Sequence, residues 1–141
     1  MSEGGCYCGN VRYKSTGEAQ AKALCHCKDC RKISGSTYST NIIVPGDGLT
    51  WTKGKPKEHT VTADSGNPIT SFFCGDCGST MVRGGPSFGE NKIIKVGTLD
   101  DPSAHEDAMP AVELYAKDRV SWVSSVAGAG QKVAMPNSAD A

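Results

Sequence analysis

Seven cysteines in three tight clusters constrain this chain more than any other feature. They are Cys6 and Cys8, then Cys25, Cys27 and Cys30, then Cys74 and Cys77. An odd number leaves one thiol over in any disulfide framework, and Cys-x-Cys neighbours are poorly placed to bridge each other. In a reducing compartment, clustered Cys-x-Cys and Cys-x-x-Cys pairs read as metal sites. The metal reading also meets a structural need. Only 38% of the 141 residues are apolar, a thin supply for one core, and metal cross-links supplement such a core.

Residues two apart in an extended segment share a face, so Cys6 and Cys8 can present both sulfurs to one ion. Cys74-Gly75-Asp76-Cys77-Gly78 reads as a knuckle-type turn offering two more. Together these four make a closed tetrahedral site joining distant segments, which suits a topology rich in non-local contacts. Cys25, Cys27 and Cys30 are then left with three ligands. A structural zinc is closed by four protein ligands, whereas a catalytic zinc keeps a position for water or substrate. Spacing alone also permits another partition. Cys27 and Cys30 can pair with Cys74 and Cys77 as a zinc ribbon, leaving Cys6, Cys8 and Cys25 unassigned. The four-plus-three division is preferred because it uses every thiol. His26 lies between ligands two apart and is expected on the opposite face, as a surface or hydrogen-bonded residue, with a place beside ligands or substrate as the lesser alternative. His59 and His105 are expected to be solvated.

The rest of the chain reads as mainly β, a single zinc-stapled domain of short antiparallel strands. Seventeen glycines and seven prolines break it into short runs. Strands are expected over residues 10–14, 23–24, 38–44, 49–52, 59–63, 69–73, 79–83 and 92–97. Residues 59–63 should pair with 69–73 across a turn at 64–68. Residues 15–22 read as a polar turn, 31–36 as a single helical turn closed by Gly35, and 112–115 with 120–123 as two closing strands. The domain is expected to span residues 1–126, with a loose tail over 127–141 made of Gly, Ala, Ser and Asn without periodicity.

Charge narrows the function. Fifteen basic residues balance fifteen acidic ones, for a formal net charge of zero. Nucleic-acid scaffolds carry a clear basic excess, so no nucleic-acid partner is expected. No apolar run approaches membrane-spanning length, and Met1-Ser2-Glu3-Gly4-Gly5 has neither a basic leader nor an apolar core. The expectation is a soluble cytoplasmic protein with no membrane partner.

Gly5-Cys6-Tyr7-Cys8-Gly9 with Val11-Arg12-Tyr13, Cys25-His26-Cys27-Lys28-Asp29-Cys30-Arg31 and Phe73-Cys74-Gly75-Asp76-Cys77-Gly78 resemble the glutathione-dependent formaldehyde-activating enzyme family, which includes centromere protein V. The resemblance continues through Gly97-Thr98-Leu99-Asp100-Asp101-Pro102 and ends near Trp122. It implies a zinc-bound, mostly β fold similar to Rab-accessory zinc chaperones. It also implies a structural zinc at Cys6, Cys8, Cys74 and Cys77, and a catalytic zinc at Cys25, Cys27 and Cys30. The implied activity is addition of glutathione's thiol to formaldehyde, giving S-(hydroxymethyl)glutathione, a carbon–sulfur lyase run in reverse.

The chemistry of the residues agrees. Zinc lowers the pKa of a bound thiol enough to deprotonate it near neutral pH. Three thiolates make zinc a weaker Lewis acid than three imidazoles, which favours handling a small-molecule thiol over hydrolysis. Two zinc ions are expected, the triad's being the more labile. Arg31 and Arg119 are candidates for a substrate carboxylate, Tyr115 and Trp122 for pocket walls, and Ser34 and Ser36 for substrate hydrogen bonds. Each has a plainer structural role available. Three readings follow: a carbon–sulfur bond enzyme, a zinc-stapled binding or chaperone-like module, and a chromatin-associated protein, the last weakened by zero net charge.

Overall fold

The computed structural model describes residues 1–63 and 65–141. Asp64, in the expected turn at 64–68, lies outside the described residues. In chain order the strands are β1 (Ser2–Gly5), β2 (Arg12–Ser15), β3 (Ala21–Cys25), β4 (Ser39–Pro45), β5 (Leu49–Lys53), β6 (Lys57–Thr62), β7 (Pro68–Phe73), β8 (Thr80–Gly84), β9 (Asn91–Lys95), β10 (Val112–Leu114) and β11 (Gly130–Gln131). Two short helices, α1 (Lys28–Ser34) and α2 (Ala104–Asp107), interrupt them. A three-stranded sheet runs β1-β2-β5, and an eight-stranded sheet runs β11-β10-β3-β4-β9-β8-β7-β6. Mainly β is the observed class.

Alternation along the strands gives the large sheet two faces. Leu24, Ile42, Val44, Val82 and Ile94 are buried, and the last four join one cluster with Tyr13, Met81 and Val96. Burying such side chains is worth about 1.5–3 kcal/mol each. The small sheet closes over this face. Tyr13 on β2 meets the Trp51 ring edge-on at 5.8 Å, and Trp51 lies 6.1 Å from Phe72 on β7. The opposite face carries Cys25, Ala23, Asn41, Ile43, Ile93, Lys95 and Arg83. It forms the floor of the site described below.

Tyr13 is 1% exposed, with its hydroxyl 2.7 Å from Thr98 Oγ1. Gly4 is needed beside it, because a Cβ there would lie 2.4 Å from the Thr98 carbonyl oxygen and 2.6 Å from the phenol oxygen. Burial pushes the Tyr13 phenol up to about 12, from an ordinary value of about 10. A raised folded value favours the native state fully below pH about 10, and that contribution disappears as pH climbs through the folded value. Alkaline titration should therefore show a late tyrosinate absorbance step coinciding with loss of the circular dichroism signal.

Several expectations are corrected. β1 was not anticipated, since Ser-Glu-Gly-Gly has poor strand propensity; pairing with β2 in register Ser2↔Ser15 supplies the structure instead. β3 starts at Ala21, inside the expected polar turn, because Ala21↔Ile43 and Lys22↔Ile42 extend its ladder with β4. Residues 120–123 are turns rather than a closing strand, and Trp122 is 76% exposed. The sheet is not wholly antiparallel. β10 pairs parallel with both β3 and β11, because the chain crosses the whole sheet before returning to the β3 edge. The segment after Ala127, expected as a loose tail, supplies β11. It also gives Tyr115 N–H a partner in the Ala134 carbonyl at 3.1 Å.

Candidate metal centres

The sulfurs of Cys6, Cys8, Cys74 and Cys77 lie within 4.8 Å of one another. Cys6 follows β1, and Gly9 turns the backbone with φ 81° so that Cys8 folds back beside it. Cys74 follows β7, and Gly78 at φ 80° closes the second knuckle. Backbone amides point at the sulfurs: Val11 N–H donates to Cys6 Sγ at 3.3 Å and Asp76 N–H to Cys74 Sγ at 3.4 Å. Such N–H···S bonds favour the thiolate form. Ser79 does the same for Cys77, whose thiol is pulled down to about 5 chiefly by the Ser79 hydroxyl at 3.3 Å. Asn10 Nδ2 donates to Asp76 Oδ2 at 2.9 Å and pins the two knuckles together. The donor set is four soft ligands, the composition of a closed tetrahedral site.

The second cluster sits at the junction of β3 and α1. Cys25 ends β3, Cys27 is the N-cap of α1, and Cys30 lies in the first turn. Their sulfurs also lie within 4.8 Å of one another. Cys27 Sγ accepts from Cys30 N–H at 3.2 Å, and Gly35 at φ 66° closes the helix in the left-handed conformation. The Cys30 thiol is pulled down to about 2 by hydrogen bonds from Cys25 and Cys27, aided by the Lys95 charge. Cys25 is pushed far above the usual thiol range by its hydrogen bonds to Cys27 and Cys30. One proton leaves the triad easily and the next is resisted, because crowded thiolates repel. A divalent cation is the natural counter-charge that lets three thiolates coexist. Both clusters can therefore hold metal ions, in the four-plus-three division, and the zinc-ribbon partition does not form.

His26 stays outside the triad, on the opposite face as expected. It is fully buried, with Nε2 2.8 Å from Glu113 Oε1. Glu113, also fully buried, accepts from Gln131 Nε2 at 2.6 Å and from Val126 N–H at 2.9 Å, with Arg119 3.5 Å away. These partners outweigh burial and hold the Glu113 carboxyl below its usual range. The network ties the triad loop to the C-terminal segment. Removing one partner of a buried ionic network leaves the others unpaired. Glu113→Ala should thus cost about 3–5 kcal/mol of stability, read as a lowered urea midpoint. Glu113 went unnoticed in the sequence, although an acid between Val112 and Leu114 in a closing strand is the signal of a buried, partnered carboxylate.

The triad opens onto a cleft of about 340 Å³ over the free face of the large sheet. Ile43, Ile69, Ile93 and Phe88 give it apolar walls, while Arg83 and Lys95 lie on its floor. Tyr115, a candidate wall, lines it in a left-handed conformation at φ 54°, uncommon for a non-glycine residue. The other candidate helpers have structural roles. Arg31 Nη1 reaches the Asp118 carbonyl at 3.4 Å, and Arg119 bonds Gln131 as well as facing Glu113. Ser34 Oγ donates to the Cys30 carbonyl at 2.6 Å and accepts from Ser36 N–H at 3.2 Å. Arg83 and Lys95 were missed, and a lone charge inside an apolar strand was the available sign. Among the described residues, no helix is long and apolar enough to cross a membrane.

Fold and site together define a β protein with two thiol centres able to hold metal, one closed by four cysteines and one with three beside a cleft. The family model described as glutathione-dependent formaldehyde-activating enzyme matches residues 1–118. The chain belongs to that family. A crystal structure of a Rhodobacter sphaeroides protein is similar, with a TM-score of 0.57 and 19% identity, covering 71% of this chain and 91% of that chain. At that identity the likeness shows the fold alone. No curated protein matches the chain.

Proposed function

We propose that this protein is a zinc-dependent carbon–sulfur lyase-type enzyme acting on adducts of glutathione or a related thiol, as S-(hydroxymethyl)glutathione synthase does. The observation that carries the reading is the three-thiol centre opening onto the cleft, with no fourth His, Cys, Asp or Glu in its cluster among the described residues. In this reading Cys6, Cys8, Cys74 and Cys77 hold a structural zinc, and Cys25, Cys27 and Cys30 hold a more labile catalytic zinc. The fold is of the Rab-accessory zinc chaperone kind. When bound at the triad, zinc supplies the cation that keeps an incoming thiol as its thiolate.

The chain's own residues account for the remainder. The apolar walls exclude water, which strengthens the electrostatic contacts inside. Lys95, on the cleft floor, offsets the negative charge of the triad. In the addition direction the substrate sulfur bonds to the carbonyl carbon, the carbon–oxygen π bond opens, and the thiol proton ends on the new hydroxyl. Elimination reverses each of these changes. The free state of all seven thiols fits a reducing cytoplasm.

The test is two-dimensional exchange NMR on glutathione mixed with ¹³C-labelled formaldehyde. Zinc-loaded protein should accelerate interconversion of formaldehyde hydrate and S-(hydroxymethyl)glutathione above the spontaneous rate. Binding of glutathione with no acceleration would favour the alternative, a zinc-stapled binding module without turnover.

A further inference from the structure

The thiol chemistry of the triad leaves one buried charge on the cleft floor without a role. Arg83 on β8 is 4% exposed. Its Nε donates to Ser71 Oγ at 3.0 Å, which fixes the guanidinium in place. None of the ion pairs among the described residues involves it. Asp29 and Asp118 also line the cleft, yet neither pairs with it. Arginine is almost never this deeply buried unless paired, because an uncompensated buried charge is expensive.

Lys95 does not present the same problem. Its Nζ donates to Asn41 Oδ1 at 2.7 Å, and it faces the Cys30 charge. Arg83 is the buried guanidinium of the cleft that has no ion-pair partner among the described residues, and it sits at a point removed from the triad.

Sheet register sets that separation. Arg83 pairs with Ile93, Ile93 with Ile43, and Ile43 with Ala21, four residues along β3 from Cys25. Three strand spacings across and four residues along put the two Cα atoms roughly 20 Å apart. Arg83 Nε is held towards Ser71 on β7, the side of β8 away from the triad, so the guanidinium stands at the far end of the cleft from the sulfurs. That separation suits a short peptide and exceeds a single amino acid. The Nη groups not used by Ser71 form a fork that matches a carboxylate.

We propose that Arg83 is the carboxylate subsite of the cleft, binding the acidic end of a peptide-sized thiol substrate whose sulfur sits at the triad. The proposal rests on the thiol-handling reading above and adds its specificity: the substrate is an acidic thiol, and neutral thiols are discriminated against at Arg83.

The test uses S-methylglutathione, whose capped sulfur removes thiolate ligation, so that binding reports on the cleft. Calorimetric titration into the zinc-loaded protein should give saturable binding, at least tenfold weaker for the dimethyl ester of the same compound. Arg83→Met should weaken the acid at least tenfold and leave the ester unchanged, with Arg83→Lys in between. Zinc content and thermal midpoint are compared for each variant. The acid–ester comparison on the wild-type protein needs no variant to fold. Equal affinity for acid and ester, an unchanged Arg83→Met, or no saturable binding of the acid would each overturn the subsite. Binding of the acid through Arg83 without accelerated adduct exchange would retire the lyase reading and keep the subsite. Accelerated exchange with equal rates for glutathione and its ester would do the reverse.

Discussion

Cys74→Ser should yield insoluble or unfolded protein, and Cys77→Ser should behave likewise. Cys74 is 1% exposed and belongs to the main core cluster. Its sulfur lies 3.8 Å from that of Cys8, across a sequence separation that the ladders do not bridge directly. β1 and β2 sit in one sheet while β7 and β8 sit in the other. The four-thiol centre joins the two sheets at one end. Ion binding at structural zinc sites is worth about 10–16 kcal/mol in small peptides, against a whole-domain stability of about 5–15 kcal/mol. Serine keeps the volume and loses the soft ligand. Circular dichroism and the soluble fraction after expression measure the outcome. Chelation of the wild-type protein should reproduce the defect once the tight ion is removed.

Cys27→Ser should do the opposite, leaving the fold intact and removing turnover. Cys27 is partly exposed and serves α1 as its N-cap. Serine is among the preferred N-cap residues, and its oxygen can accept the Cys30 N–H that Cys27 Sγ accepts in the parent. The helix therefore keeps its cap while the triad loses one of three ligands. The expected result is an unchanged thermal midpoint, loss of the labile metal equivalent, and adduct exchange at the spontaneous rate. Equal loss of folding in Cys27→Ser and Cys74→Ser would refute the division of the thiols into a structural and a working centre. The two variants are best compared in one experiment, with metal content measured beside folding.

Both clusters were legible because their ligands are close in sequence and their turns carry glycine. Cys-x-Cys and Cys-x-x-Cys spacings fix which sulfurs converge within a knuckle, and Gly9, Gly35 and Gly78 permit the left-handed turns that bring amides to them. The β class was legible from short β-branched runs such as β4 and β9. Glu113 was not, because its partners His26, Gln131, Val126 and Arg119 come from three separate segments. β1 and β11 were not legible either. Each is a weak strand by composition and takes its conformation from the ladder it joins.

The sequence by itself determined the donor chemistry: seven thiols, no excess charge, and β segments of alternating burial. It also favoured the division of the thiols, though a zinc ribbon remained open on spacing alone. Only the tertiary structure closed that choice, by bringing Cys6 and Cys8 to Cys74 and Cys77. It also set Arg83 two strands beyond β4 on the same face as Cys25. The physical reason is that ligand geometry within a turn is local, whereas the pairing of turns and the surroundings of a lone charge depend on strand order. Strand order follows from burying one face of the large sheet under the small one, a property of the whole chain.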